Sequence, residues 1–193
     1  MKVLLIDHYD SFADIIADYL RQLNCAVFIL KTDKITLDIL EELAPEKIII
    51  GPGPGHPSDS SLSLVRNILP HIFLHKIPLL GICLGHQMIA EYFGAKVVTA
   101  TTIAHGLSSR LTHKADILFN GIPSEFNVVR YHSLIVENNS ISGTPLKITA
   151  MTKNEEVMAI RHEALPCYGL QFHPESVLTE FGLKILDNFI KFA

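Results

Sequence analysis

Cysteine is scarce in this chain, and the few thiols present do not pair. Cys25, Cys83 and Cys167 are three cysteines in 193 residues, an odd number without a CxxC spacing. That excludes a disulfide scaffold and a zinc ribbon, and leaves each thiol to be judged by its surroundings. Basic charge is not in surplus either. Lys and Arg number 16 against 20 Asp and Glu, a net charge of −4, whereas a nucleic-acid binder normally shows the opposite balance. Long apolar runs are also absent. Mean hydropathy is +0.30, yet the longest stretch free of Asp, Glu, Lys and Arg is Ile77 to Ala90, which contains Pro78 and falls short of the ~20 residues needed to span a bilayer. Met1-Lys2-Val3-Leu4-Leu5-Ile6-Asp7 reaches a carboxylate too soon to form a signal-peptide core. There is no linker, low-complexity tract or internal repeat. These absences predict a soluble, cytoplasmic single domain over 1–193, with no membrane and no nucleic-acid partner. A chain of this size buries about 70% of its unfolded surface and can hold a core without metal or disulfide.

The first half alternates apolar, β-rich runs with helical patterns. Val3–Ile6 reads as a strand, and Phe12, Ile15, Ile16, Tyr19, Leu20 and Leu23 recur at helical spacing behind Asp10 and Ser11 as caps. Ala26–Leu30 is a second strand, Thr36 caps a helix carrying Leu37, Leu40 and Leu43, and Lys47–Ile50 is a third strand. A helix from about Ser61 to Leu69, the strand Leu79–Ile82 and a helix from about Gly85 to Phe93 follow. This alternation implies an α/β fold, an open and mostly parallel central sheet flanked by helices. From about Lys96 to Leu170 the pattern changes to short β-branched segments at Val97–Thr99, Ile117–Phe119, Asn127–Tyr131, Lys147–Met151 and Val157–Arg161, as in a small antiparallel β add-on. Leu178, Phe181, Ile185, Leu186 and Phe189 mark a closing helix.

Leu79-Leu80-Gly81-Ile82-Cys83-Leu84-Gly85-His86-Gln87 is the most informative segment. A strand running into Gly-x-Cys-x-Gly and then a helix is the thiol form of a nucleophile elbow. Glycines two residues either side of the cysteine remove Cβ atoms from a tight turn. Cys83 is thereby lifted above the carboxyl edge of the sheet, where ligand crevices of open α/β folds lie. The following helix N-terminus favours thiolate over thiol, and the Leu84 N–H, unsatisfied in the first turn, can donate to an oxyanion. Taken alone, Gly-x-Cys-x-Gly equally fits a structural thiol between packing glycines; Cys25 and Cys167, on apolar strand patterns, read as structural.

A thiolate nucleophile needs a base. His86 is near in sequence, but a cation in the first turn of a helix opposes the dipole. His173 is the better candidate: it ends the strand-like run Cys167 to Phe172 and precedes Pro174 and Glu175. Pro174 biases His173 toward an extended conformation, so residues 173 and 175 project to one side. Glu175 can then accept from one imidazole nitrogen while the other faces Cys83. An exposed His-Pro-Glu turn is the alternative for the tripeptide by itself. The other eight histidines default to surface or satisfied positions, with His105 and His132 flagged. The Gly51-Pro52-Gly53-Pro54-Gly55-His56-Pro57 loop lacks the Lys-Ser/Thr of a P-loop, so a second oxyanion donor fits it better than a phosphate cradle, a plain turn being the remaining reading.

Across essentially the whole chain, these pieces resemble the class I (triad) glutamine amidotransferases: Pro52-Gly53-Pro54-Gly55, Gly81 to Gln87, and His173-Pro174-Glu175 occur in the family's order. Asp7-His8-Tyr9-Asp10-Ser11-Phe12 and Arg130-Tyr131-His132-Ser133-Leu134 resemble the small subunits (component II) of anthranilate synthase and aminodeoxychorismate synthase. The resemblance implies a flavodoxin-like fold and a Cys83–His173–Glu175 triad. It also implies oxyanion donors at Leu84 and Gly53, and glutamine contacts from Gly55, Gln87, Ser133 and Leu134. Implied too are L-glutamine as substrate, no metal or cofactor in this chain, and ammonia delivery to a chorismate-binding synthase subunit, in a heterodimer or heterotetramer, where Mg²⁺ is expected. Nothing in the sequence provides an ATP or acceptor site, so the synthase is expected to be another polypeptide. The sequence departs from the family's pattern at His8, where Asn is usual, at Ala13 to Ile16, and at Ala104 to Leu107. These positions lie outside the triad and bear on the partner more than on glutamine chemistry. Three rivals are a glutaminase subunit for another acceptor (guanylate or carbamoyl-phosphate type), a Cys-dependent hydrolase such as a peptidase, and a non-enzymatic binding module.

Overall fold

A computed structural model describes residues 1–100 and 106–193; the Ala104 and His105 of the sequence expectations lie outside them. In chain order the regular elements are β1 Lys2–Asp7, α1 Ala13–Gln22, β2 Ala26–Lys31, α2 Leu37–Leu43, β3 Lys47–Ile50, α3 Ser63–Leu74, β4 Leu79–Ile82, α4 Leu84–Tyr92, β5 Val97–Thr99, β6 Leu107–His113, β7 Glu125–Arg130, β8 Leu134–Val136, β9 Leu146–Thr152, β10 Val157–His162, β11 Cys167–Leu170 and α5 Gly182–Phe192. One nine-stranded sheet runs β2-β1-β3-β4-β11-β10-β9-β6-β7. Its first five strands are parallel, and the last four continue it antiparallel. β5 and β8 form a separate two-stranded antiparallel sheet.

The parallel strands are apolar at successive positions because both sheet faces are covered. In β1, Val3 and Leu5 face a cluster with Ile16 and Leu20 of α1 and Ile185 and Phe189 of α5. Leu4 and Ile6 face the opposite cluster, with Leu40 of α2, Val65 and Ile68 of α3, and Met88 and Ile89 of α4. The carboxyl ends of β3, β4 and β11 therefore emerge side by side at one edge, and each leads into one of the three motifs.

Several local expectations are corrected. Asp10 and Ser11 do not cap α1. Its N-cap is Phe12, without a side-chain bond, and the Asp10 carboxylate accepts from the Phe12 N–H in the turn before it. α3 continues through Pro70 to Leu74, since burial of Ile68, Leu69 and Ile72 outweighs the missing N–H. Ile117–Phe119 is a 3₁₀ turn, not a strand. Asp116 accepts from the Leu118 N–H, and Asn188 of α5 donates to the carbonyls of Leu118 and Asn120. The closing helix starts at Gly182, and Leu178 is 70% exposed. Residues before that helix are held instead on the β7 edge, where Glu180 both donates to and accepts from the Asn127 backbone.

Candidate active site

Cys83 sits between β4 and α4 with φ 53° and ψ −100°, a conformation rarely adopted by a side-chain-bearing residue. Its N–H donates to the Leu170 carbonyl at 2.7 Å. The flanking glycines are sterically required. A Cβ at Gly81 would lie 2.3 Å from the Gly85 backbone, and one at Gly85 would lie 2.2 Å from the Ile50 carbonyl oxygen. Leu84 is the first residue of α4, so its N–H has no intrahelical acceptor.

β11 delivers His173 to the same edge. Its backbone is fixed from both sides: the N–H donates to the Val129 carbonyl at 3.2 Å, and the carbonyl accepts from Thr179 Oγ1 at 2.7 Å. His173 Nδ1 and Glu175 Oε1 are 2.6 Å apart with both side chains buried. Phe12 and Tyr131 flank the imidazole at ring-centroid distances of 5.1 and 5.2 Å. Among the described residues Nε2 meets no hydrogen-bond partner, yet the Cys83 thiol is near enough to act on the ring. Burial alone would lower the His173 pKa, but interaction with Cys83 and Glu175 outweighs it, and the imidazole is pushed up to about 10. Looser geometry between nucleophile and base is common before substrate binds.

A cavity of about 130 Å³ is lined by Cys83, Gly53, Gly55, Gln87, Ser133 and Leu134, with Pro54, Tyr131 and His132 completing the wall. It is smaller than a groove of about 700 Å³ around Lys114, Lys147 and Arg161, but that groove lies elsewhere and includes none of Cys83, His173 and Glu175. The Gly53–Gly55 loop is braced by its neighbours. His8 packs on Gly53, where a Cβ would approach its Cβ to 2.7 Å, and is itself held by Thr32 Oγ1 at 2.8 Å. Gly55 adopts φ +90° beside Asp59, which accepts from the His56 N–H. Gln87 Nε2 donates to the Leu134 carbonyl at 2.9 Å and to Gln171 Oε1 at 3.1 Å.

Every sequence-predicted site residue is thus at one sheet edge. His86 does not line the cavity: it is fully buried against Gly169, and burial lowers its pKa to about 3. His132 is also buried, and desolvation, followed by the Arg130 charge, brings it to about 4. Burial raises the thiols of Cys25 and Cys167. Sequence reasoning overlooked Gln171, whose Nε2 donates to Cys83 Sγ at 3.7 Å; a lone amide in the apolar run before His173 was the available signal. It also overlooked Phe12 and Tyr131 as walls for the imidazole. Among the described residues no cluster of His, Cys, Asp and Glu converges as a metal site, and no helix is long and apolar enough to cross a membrane.

Residues 4–192 match the family model for glutamine amidotransferase class-I. The aminodeoxychorismate/anthranilate synthase component 2 of Bacillus subtilis is 43% identical over 98% of this chain and 95% of its own length. The aminodeoxychorismate synthase component 2 of Escherichia coli is 41% identical over 97% and 98%. A Thermoplasma acidophilum protein described as a putative GMP synthase subunit has a crystal structure that superposes with a TM-score of 0.87 at 27% identity, covering 98% of this chain and 92% of its own.

Proposed function

The chain belongs to the class I glutamine amidotransferases, and on that premise we propose that it is the glutaminase subunit of a chorismate-aminating synthase, with Cys83, His173 and Glu175 as its triad. The observation that carries the chemistry is the buried 2.6 Å contact of His173 with Glu175, which, with the thiol of Cys83 alongside, holds the imidazole charged through the neutral range. Cys83 Sγ attacks the side-chain amide carbon of L-glutamine, and the carbonyl π pair moves to oxygen. The Leu84 and Gly53 N–H groups receive that oxyanion. His173 gives its Nε2 proton to the amide nitrogen, the C–N bond breaks, and ammonia departs, leaving a γ-glutamyl thioester. Neutral His173 then takes a proton from water as the water oxygen attacks the thioester carbon, and glutamate and the thiolate are released. Glu175 keeps Nδ1 protonated and the ring oriented throughout. Gly55, Gln87, Ser133 and Leu134 line the glutamine pocket.

The acceptor reading rests on relatives above 40% identity named as components of aminodeoxychorismate and anthranilate synthases. In this reading ammonia passes to a chorismate-binding subunit in a heterodimer or heterotetramer in the cytoplasm. The present chain uses no cofactor, and Mg²⁺ acts in the partner. Exposed apolar side chains adjoin the site in sequence, Tyr9 before Phe12 and Val177 and Leu178 after Glu175, at 60%, 88% and 70% exposure, and such residues suit a docking face. The test is to mix the chain with each candidate synthase, supply chorismate, Mg²⁺ and glutamine, and identify the product: anthranilate or 4-amino-4-deoxychorismate supports the reading, and no glutamine-dependent product with either partner overturns the acceptor. A guanylate-type acceptor is the second reading, favoured by the 0.87 superposition, and predicts glutamine-dependent amination only with a nucleotide-amidating partner.

A further inference from the structure

We propose that Gln171 is a positioning residue for the nucleophile: its amide N–H holds the Cys83 sulfur in the attacking position and stabilises the sulfur while it is negatively charged. The proposal rests on the reading of Cys83 as the nucleophile. Gln171 is completely buried at the end of β11, two residues before His173, and its own N–H is tied to the Met158 carbonyl at 2.9 Å. The same strand end therefore places both the imidazole and this amide beside the sulfur.

The orientation of the amide follows from its neighbours. Gln87 donates one N–H to the Leu134 carbonyl and the other to Gln171, and a carbonyl oxygen can only accept. The group of Gln171 that meets Gln87 must then be its oxygen, which turns its nitrogen toward Cys83 Sγ. The flipped amide would set two NH₂ groups against each other in a buried site and turn an acceptor, not a donor, toward the sulfur.

A donor here does what the imidazole cannot. His173 gives its proton to the leaving nitrogen and regains one only from the attacking water, so its charge, and with it its hold on the sulfur, alternates through the cycle. The amide keeps both hydrogens through the cycle, and a hydrogen bond to a charged acceptor is stronger than one to a neutral acceptor. The relay also connects the pocket wall to the sulfur, through Leu134, Gln87 and Gln171 to Cys83. Glutamine bound against Gln87 and Leu134 would thus fix the nucleophile's position.

Two variants of the full chain, assayed with its synthase partner, test this. Gln171→Glu keeps the size and an acceptor for Gln87 but replaces the donor with a second acceptor, and Gln171→Leu removes both contacts. For each, kcat for glutamine hydrolysis is expected to fall about 10- to 100-fold while KM changes less than about 3-fold. The pH midpoint of Cys83 alkylation by iodoacetamide is expected to move up by about one unit, a displacement that a general loosening of the fold would not produce. Gln171→Leu is the more prone to misfold, so Gln171→Glu with wild-type circular dichroism decides the matter. Wild-type kcat and an unmoved alkylation profile in that variant would overturn the proposal. A wild-type chain that neither hydrolyses glutamine nor is alkylated at Cys83 would instead overturn the nucleophile reading beneath it.

Discussion

The rings of Phe12 and His173 lie 5.1 Å apart, centroid to centroid, at an interplanar angle of 57°. Phe12 is the N-cap of α1, so the first helix of the chain begins against an imidazole contributed 161 positions later. Tyr131 meets the same imidazole edge-on and also contacts Phe12. An imidazolium within about 6 Å of an aromatic face gains about 0.5–2 kcal/mol, which adds to the carboxylate of Glu175 in holding the ring charged. Phe12→Leu should therefore lower the alkaline limb of the pH–rate profile for glutamine hydrolysis by about 0.5–1 unit while leaving KM near the wild-type value. An alkaline limb unchanged in that variant would show that the ring acts only as packing.

Removing the nucleophile separates the two halves of the proposed reaction. Cys83→Ala should reduce glutamate release by about 10³-fold or more, while ammonium salts should still support product formation by the partner synthase. Retention of glutamine hydrolysis in the purified variant would remove Cys83 from the chemistry. Loss of ammonia-dependent synthesis as well would place the residue in assembly of the complex.

Gly85 poses a conflict between helix propensity and packing. Alanine is better than glycine in a helix interior by roughly 0.5–1 kcal/mol, but a Cβ here meets the Ile50 carbonyl oxygen at 2.2 Å. The carbonyl is backbone and the Cβ is bonded directly to the helix backbone, so neither can move aside cheaply. Gly85→Ala is expected to lose about 1–3 kcal/mol of stability and to slow iodoacetamide labelling of Cys83 by displacing the elbow. A raised melting temperature would mean that α4 can shift off β3 without strain.

What the sequence made legible follows from how local the signals are. The parallel strands are continuous apolar runs, and Gly81, Cys83 and Gly85 announce their turn within five residues. His173 and Glu175 declare their shared direction through Pro174 between them. Ile117–Phe119 misled because its three apolar residues face α5, and β-branched composition does not distinguish a buried turn capped by Asp116 and Asn188 from a strand. Leu178 fitted the helical spacing of Ile185 and Phe189, but its segment is claimed by the edge of β7, a partner some 50 residues distant. Gln171 showed only as a lone amide in an apolar run, and Phe12 and Tyr131 gave no site signal, for the same reason: their roles exist only across the sheet edge that joins β11, α1 and β7.

Burial of His86, His132 and His173 makes stability depend on pH in opposite directions. His86 and His132 have folded pKa values lowered to about 3 and about 4, below the ~6.5 of an unfolded histidine. Between those values the unfolded chain binds protons that the folded chain refuses, so their contribution is present above pH 6.5 and is lost as pH falls. His173, raised to about 10, behaves the other way: its contribution is complete below pH 6.5 and is lost as pH rises toward 10. Stability should therefore peak near neutrality. From pH 6 to pH 5, above the range where most carboxylates titrate, unfolding free energy from urea titration should fall by up to about 1.4 kcal/mol per buried neutral histidine. His132→Asn should make that slope shallower by about half while leaving the alkaline decline intact. A flat profile between pH 6 and 5 in the wild-type chain would mean that His86 and His132 can be protonated without unfolding, through water reaching sites that are closed in this structure.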